Sequence, residues 1–295
     1  MHIVKGLSSI GQGDFGITYV HPENRNRVIK VVRVGKGEKK KVVEQEVRIQ
    51  SFLGERGLAP KVYPLYQGGK DVVFSGSNML YCMQRMYPIR RWTVHSFDTL
   101  LETMRRTIFE HSIVHNDLHQ GNVMRTGSGK TLPIDFGLSV CIPEADLDGC
   151  GNLLLERILF SQVIMLLEKC NMNNLQCSTS CEGERCMRHK APFMNALERW
   201  VRKRSLDLKV PSKRKDMDAC VSYVDRTFPA CGPYVKFQIL TGTIVYNFLL
   251  GCNVDKNMRH CHLIVTEWLY YIRNMPYSDA EMAWDMARRG EDPPS

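Results

Sequence analysis

The sequence has no apolar run approaching the roughly 20 residues that a membrane-spanning helix needs. Its longest candidate, Ile239 to Leu250, is shorter and is interrupted by Thr241, Gly242, Thr243 and Asn247, so it reads as buried core. The first residues, Met1-His2-Ile3-Val4-Lys5-Gly6, lack the apolar stretch and small-residue cleavage site of a secretory signal, and an intracellular protein is the expectation. A disulfide framework is missing too, because 11 cysteines cannot all pair and they are scattered through the chain. Most are read as reduced thiols buried as small hydrophobes. Acidic residues are the scarcer charge, 31 against 40 Lys and Arg, which leaves a net +9. That balance favours acidic partners and says nothing about fold. Much of it comes from Lys39-Lys40-Lys41, Arg202-Lys203-Arg204 and Lys213-Arg214-Lys215. Each reads as a solvated face, and nucleic acid is not expected as the main partner.

What remains is an ordinary globular composition. A chain of 295 residues with 43% hydrophobic and 24% charged residues can bury one large core or two modest ones. Short β-prone runs, Ile3 to Ile10, Ile17 to Val20 and Arg27 to Val34, surround the glycine segment Gly11-Gln12-Gly13-Asp14-Phe15-Gly16. Residues without Cβ let backbone N–H groups approach phosphate oxygens closely, and they suit a hairpin reversal. A dinucleotide-binding loop would need a helix directly afterwards, and here a second strand follows. Further on, Val28-Ile29-Lys30-Val31-Val32 sets one lysine in a buried strand, where it needs a partner. Residues 38 to 54 have helix-forming composition, and either Glu44 or Glu46 could reach back to it. Glu46 is preferred, because Val47, Ile49, Phe52 and Leu53 place apolar side chains one turn on.

The most informative stretch is Val114-His115-Asn116-Asp117-Leu118-His119-Gln120-Gly121-Asn122-Val123. It is followed after a turn-rich gap by Leu132-Pro133-Ile134-Asp135-Phe136-Gly137-Leu138. Here the sequence resembles the protein-kinase superfamily, with its catalytic loop H-x-D-L-x-x-x-N and metal-binding D-F-G. Glycine loop, strand lysine, helix glutamate, catalytic loop and D-F-G also occur in the family's order, and the resemblance covers residues 3 to 138. It implies that Gly11, Gly13 and Gly16 drape over the ATP phosphates, with Phe15 at the loop tip shielding them from water. It implies that Lys30, held by Glu46, contacts the α- and β-phosphates, and that Asp117 accepts the proton of the attacking hydroxyl. Asn122 and Asp135 would coordinate magnesium, with manganese as a substitute. His115 would be a structural brace. Met79 to Met86 resembles the strand entering the hinge, with Met83 at the gatekeeper position and Gln84 to Met86 meeting adenine through backbone groups.

Three departures limit the analogy. Asn116 stands where the family has an arginine that grips a phosphorylated activation loop, which speaks against that form of control. His119 stands two residues after Asp117, where most serine/threonine kinases carry lysine, and when protonated it would neutralise the γ-phosphate. The D-L-H-x-G-N form resembles atypical kinases, haspin-like proteins, kinases of large DNA viruses, and phosphotransferases acting on aminoglycosides or choline. No A-P-E follows the D-F-G, and the apolar helical stretch Leu153 to Leu167 begins only about fifteen residues after Gly137. Asp146 or Asp148 could brace the loop at that point. Cys177, Cys181, Cys186 and His189 offer zinc ligands, but C-x3-C-x4-C-x2-H lacks the paired C-x2-C, and reduced cysteines are the favoured reading.

The expected fold is therefore α+β and bilobal. It has an antiparallel β-rich N-lobe over 1–86 and a mostly helical C-lobe over 87–295, with a Cys-rich insert at about 170–190. Residues 193–206 and 258–275 show helical spacing around Trp200, Trp268, Leu269 and Ile272, and the acidic, proline-ended tail from Ser278 to Ser295 should be partly frayed. The resemblance implies a serine/threonine protein kinase using ATP and acting on a protein, acidic substrates suiting its basic surface. It would work in the cytoplasm or in the nucleus of a host cell, without a membrane. The rival expectations are a small-molecule kinase and a pseudokinase scaffold.

Overall fold

The computed structural model describes residues 6–13, 16–34, 38–65, 69, 72–90, 92–147, 152–169, 195, 199, 217–250 and 277–291. Phe15, Asp148, the cysteine cluster Cys177, Cys181, Cys186 and His189, and the helices expected around Trp200 and Trp268 lie outside the described residues. The fold class is α+β, with antiparallel strands in the N-terminal region and helices in the C-terminal part. Among the described residues, no helix is long and apolar enough to cross a membrane.

Two compact units divide the chain: Met1–Ile89 with Gly121–Ser139, and Arg90–Gln120 with Val140–Ser295. The sequence reading breaks the chain once, near Met86. In the structure residues 121–139 group with the first unit instead, because β9 (Val123–Arg125) pairs with both β10 (Thr131–Pro133) and β7 (Tyr87–Pro88). Lys130 Nζ also donates to the Gly57 carbonyl at 2.7 Å, and Leu132 joins the core of that unit.

The first unit is built on an antiparallel sheet of β1 (Ser9–Gly13), β2 (Gly16–Val20), β3 (Arg27–Arg33) and β6 (Asn78–Gln84). The far edge of β6 is shared by β4 (Val62–Tyr63) and β5 (Val72–Ser75). Glycines of this segment lie in strands: Gly11, Gln12 and Gly13 pair with Thr18, Ile17 and Gly16. Strand geometry sends alternate side chains to opposite faces. Val28, Val32, Met79, Tyr81 and Met83 accordingly pack on one face with Val43 and Val47 of α1 (Glu38–Glu55), whereas Ile29, Val31, Leu80 and Cys82 form a second core on the other. With both faces covered, β3 and β6 are apolar nearly throughout.

The second unit opens with α2 (Val94–His111). A Thr93/Ser96 capping box starts it, and Ser112 in the left-handed region ends it. The chain then enters β8 (Ile113–Val114), which pairs antiparallel with β11 (Val140–Cys141), and α3 (Glu144–Leu147) follows β11. α4 (Asn152–Lys169) buries every residue from Arg157 to Val163, so it is interior on all sides and packs against α2 and α6 (Pro233–Leu250). Asp146 of α3 lies over Gly232, just before α6, where a Cβ would meet its carboxyl carbon at 2.7 Å. The tail does not fray throughout. α7 (Ala280–Arg288) packs beside α6 and α5 (Met217–Thr227), with Trp284 edge-on to Phe237 at 4.8 Å. Trp284 Nε1 and Arg288 Nε donate to Asp225. The acidic composition that suggested fraying covers only the outer face, since Ala280, Ala283, Trp284 and Ala287 are buried.

Candidate active site

Pleating decides where Lys30 points. It shares a face with Val28 and Val32, the face covered by α1, and pairs across the sheet with Tyr81. On α1, Val43, Glu46, Val47 and Gln50 fall at helical spacing and are all buried, so Glu46 faces the sheet. Of the two candidate glutamates it is Glu46 that meets the lysine: Lys30 Nζ donates to Glu46 Oε1 at 2.7 Å. The same oxygen accepts from Tyr81 Oη at 3.1 Å. Burial by itself would lower the Lys30 ammonium, but Tyr81, Glu46 and Asp135 outweigh it and hold the group well above the usual lysine range. Burial, reinforced by Glu46, pushes the Tyr81 phenol far up, so it remains a donor.

In front of this pair the first unit encloses a cavity of about 420 Å³. Gly11, Gly16, Lys30, Asn122 and Asp135 line its polar side, and Ile10, Val28, Met83, Met86, Met124 and Ile134 form an apolar slot. Polar groups converging on a mostly apolar cleft are typical of small-molecule sites. The glycines are there for different reasons. A Cβ on Gly16 would collide with the Val31 carbonyl, whereas one on Gly11 would meet nothing within 4 Å. Gly16 is thus required by the sheet, and Gly11 leaves open space toward the cavity. Asn122 ends a short 3-10 turn, and its carbonyl accepts the Ile134 N–H at 2.9 Å, which fixes Asn122 against the D-F-G strand. Asp135 sits at φ 65°, a left-handed conformation uncommon outside glycine and recurrent at functional sites. The backbone of Gly137 lies beside both Asp135 and Glu46.

Some expected residues lie off this wall. Glu46 stands behind Lys30, and Gln84 faces β4: its N–H donates to the Lys61 carbonyl at 2.8 Å and its Oε1 accepts from the Lys61 N–H at 3.4 Å. Asp117 and His119 belong to the second unit. There His115 is fully buried and accepts the Asp117 N–H on Nδ1 at 3.3 Å, as a brace would. His119 Nε2 lies 3.7 Å from Asp117 Oδ2 on the more exposed side of the loop. Asn116, between brace and aspartate, adopts φ 61° and its N–H donates to Gln162 Oε1 at 2.8 Å.

The model of the ABC1 atypical kinase-like domain matches residues 92–162, which run from α2 through the loop and the D-F-G into α4. The Caenorhabditis briggsae protein named Probable serine/threonine-protein kinase zyg-1 is 24% identical over 144 residues, 46% of this chain and 20% of that protein. The chain therefore spans about a fifth of that relative's length. Both comparisons liken the chain to protein-kinase-like proteins. The family match reaches residue 162, past Leu138 where the resemblance of individual motifs stops.

In this kinase-like chain, Asn122 and Asp135 both present oxygens to the cavity, a donor set suited to a hard divalent cation that takes its remaining ligands from phosphate and water. Among the described residues no group of three or more His, Cys, Asp and Glu could hold a metal, so an all-protein cage is not offered there. Arg85, inside the expected hinge Gln84 to Met86, lines the cavity. Sequence reasoning passed over two other residues. Gln50, 1% exposed, lines the cavity beside Met83, and only its position one turn after Glu46 could have signalled it. Gln162 Oε1 accepts the Asn116 N–H of the loop, and nothing in a run of apolar helix marks it in advance.

Proposed function

We propose that the chain is an ATP-dependent phosphotransferase that moves the γ-phosphate to the hydroxyl of a serine or threonine in a protein. The observation that carries this reading is the cavity that gathers Gly11, Gly16, Asn122 and Asp135 around a lysine already paired with a helix glutamate. A nucleotide's base fits the apolar slot between Val28, Met83 and Met124, and its phosphates fit the polar side. Lys30, fully charged and oriented by Glu46, neutralises phosphate oxygens. Asn122 and Asp135 would hold magnesium, which when bound supplies charge neutralisation for the phosphates. Asp117 takes the proton of the attacking hydroxyl as its oxygen bonds to the γ-phosphorus and the bond to the bridging β,γ-oxygen breaks. His119, beside Asp117, adds positive charge when protonated. Positioning and electrostatics supply most of the catalysis in such reactions, because the transition state is loose.

A second reading, transfer to a small-molecule hydroxyl, is favoured by one observation. Only β11 and the single turn of α3 stand between Leu138 and residue 148, leaving little chain for a peptide platform. Labelled ATP with magnesium, offered to a panel of proteins and of small aminoalcohols, separates the two. Label on protein serine or threonine is expected. Label only on a small acceptor would replace the first reading with the second, and no nucleotide binding at all would remove both. Asp117→Asn is expected to lower the rate by at least about 100-fold, and equal labelling by this variant would sink the assignment of the base.

A further inference from the structure

Asn116 is held by hydrogen bonds to three buried, neutral side chains. Its Oδ1 accepts from Tyr234 Oη at 2.5 Å and from Gln238 Nε2 at 3.0 Å, and its N–H donates to Gln162 Oε1 at 2.8 Å. The network closes on itself, since Gln238 Nε2 also reaches Tyr234 Oη, and Gln238 Oε1 accepts from Gln162 Nε2 at 2.8 Å and Ser161 Oγ at 3.0 Å. All five residues are buried, and they come from α4, α6 and the loop. Burial pushes the Tyr234 hydroxyl far up, so it keeps its proton.

We propose that Tyr234 and Gln238, acting through Asn116, are positioning residues that fix the backbone of Asp117 by neutral hydrogen bonds. The physical reason lies in Asn116's backbone. A non-glycine residue at φ 61° is strained and persists only where its surroundings over-determine it. Both the amide and the side-chain oxygen of Asn116 are bound, which over-determines that turn, and Asp117 is the next residue along. An arginine at 116 would bury a cation among groups whose neutral bonds are already satisfied. The loop is therefore set without a phosphorylated residue to pair with, and the chemical requirement at this position is a neutral donor from α6.

The kinetic part of this inference rests on the phosphotransferase reading, so the test has two arms. In the full chain, Tyr234→Phe removes one donor with almost no change of volume. The expected result is a kcat about tenfold lower with the KM for ATP within about twofold of the parent, because a loop hydrogen bond acts on the transfer step and not on nucleotide binding. In hydrogen exchange, the amides of 115–118 should open about tenfold faster while those of α2 stay unchanged. Gln238→Glu keeps the acceptor for Ser161 and Gln162 but sets a carboxylate against Asn116 Oδ1, and it should act in the same direction more strongly. Unchanged kcat and unchanged protection of 115–118 in both variants would overturn the proposal. So would exchange that rises uniformly across α2, α4 and α6, which marks Tyr234 as packing. If the parent transfers no phosphate, the phosphotransferase reading fails and the exchange arm still decides this one.

Discussion

The two units each fix a functional group with buried polar side chains, but by opposite means. In the first, Lys30 is held by charge: Glu46 Oε1 takes both its ammonium and the Tyr81 hydroxyl, with Asp135 adding to the same field. In the second, Asn116 is held by amides and a phenol, none of them ionised. Charged pairing is strong and intolerant, since removing one partner leaves the other desolvated and uncompensated. Neutral pairing is weaker for each bond and indifferent to ionic strength. The difference follows from what each group meets. Lys30 lines a cavity suited to an anion and must stay positive, whereas Asn116 needs only to keep a strained backbone in place.

The sharpest way to break this contrast is Glu46→Gln. It should lower kcat/KM by at least about 100-fold and destabilise the first unit by about 3 kcal/mol, read by steady-state kinetics and urea unfolding, because a buried ammonium loses its carboxylate. A loss no larger than that of Tyr234→Phe would erase the distinction between the two units. Next in size is Asp225→Asn. It leaves Lys236, whose side chain is 10% exposed, without its anion and should cost about 2 kcal/mol in thermal unfolding. Tyr81→Phe should cost about 1.5 kcal/mol, the worth of one bond to a charged oxygen, with Lys30 and Glu46 still paired. Smallest is Gln50→Leu. Its Nε2 bonds to the Pro60 carbonyl and Met83 Sδ are long, at 3.4 and 3.6 Å, so stability should hold within about 1 kcal/mol while nucleotide affinity shifts.

Acid adds a test of the charged cluster at Asp225. Burial pushes this carboxyl up, but hydrogen bonds from Arg288, Lys236 and Trp284 outweigh it and hold the group below the usual aspartate range. A depressed folded value means that the stability is present above the unfolded value, near about pH 4, and is lost as pH falls through the folded one. Hydrogen exchange at residues 280–288 should therefore speed up below about pH 4 in the parent. The hydrogen bonds of Asn116 to Tyr234, Gln238 and Gln162 join neutral groups, and its protection should outlast that of 280–288.

Much of the first unit was legible in the sequence, because its signals are local. β-Branched apolar residues on both sides of Lys30 marked a buried strand, the lone lysine within it demanded a partner, and apolar residues one turn on favoured Glu46 over Glu44. The catalytic-loop and D-F-G motifs were legible for the same reason, each being a short run of particular residue types. The strand at Gly11 to Gly13 was hidden, because glycine has no strand preference and its pairing with β2 is decided by the partner. The tail helix was hidden by its charged outer face, and the Asn116 network by distance along the chain, Asn116 and Tyr234 being 118 positions apart.

By itself the sequence determined the periodicities, the lysine in its strand, and the spacing of Asp117, Asn122 and Asp135, since these follow from residue type and short-range geometry. Only the tertiary structure decided that residues 121–139 join the first unit, that Gln50 walls the cavity, and that Gln162, Tyr234 and Gln238 meet at Asn116. Those choices depend on which buried polar atom finds which partner once the helices pack. Hydrogen-bond satisfaction across that separation is a property of the assembled core, and no local pattern encodes it.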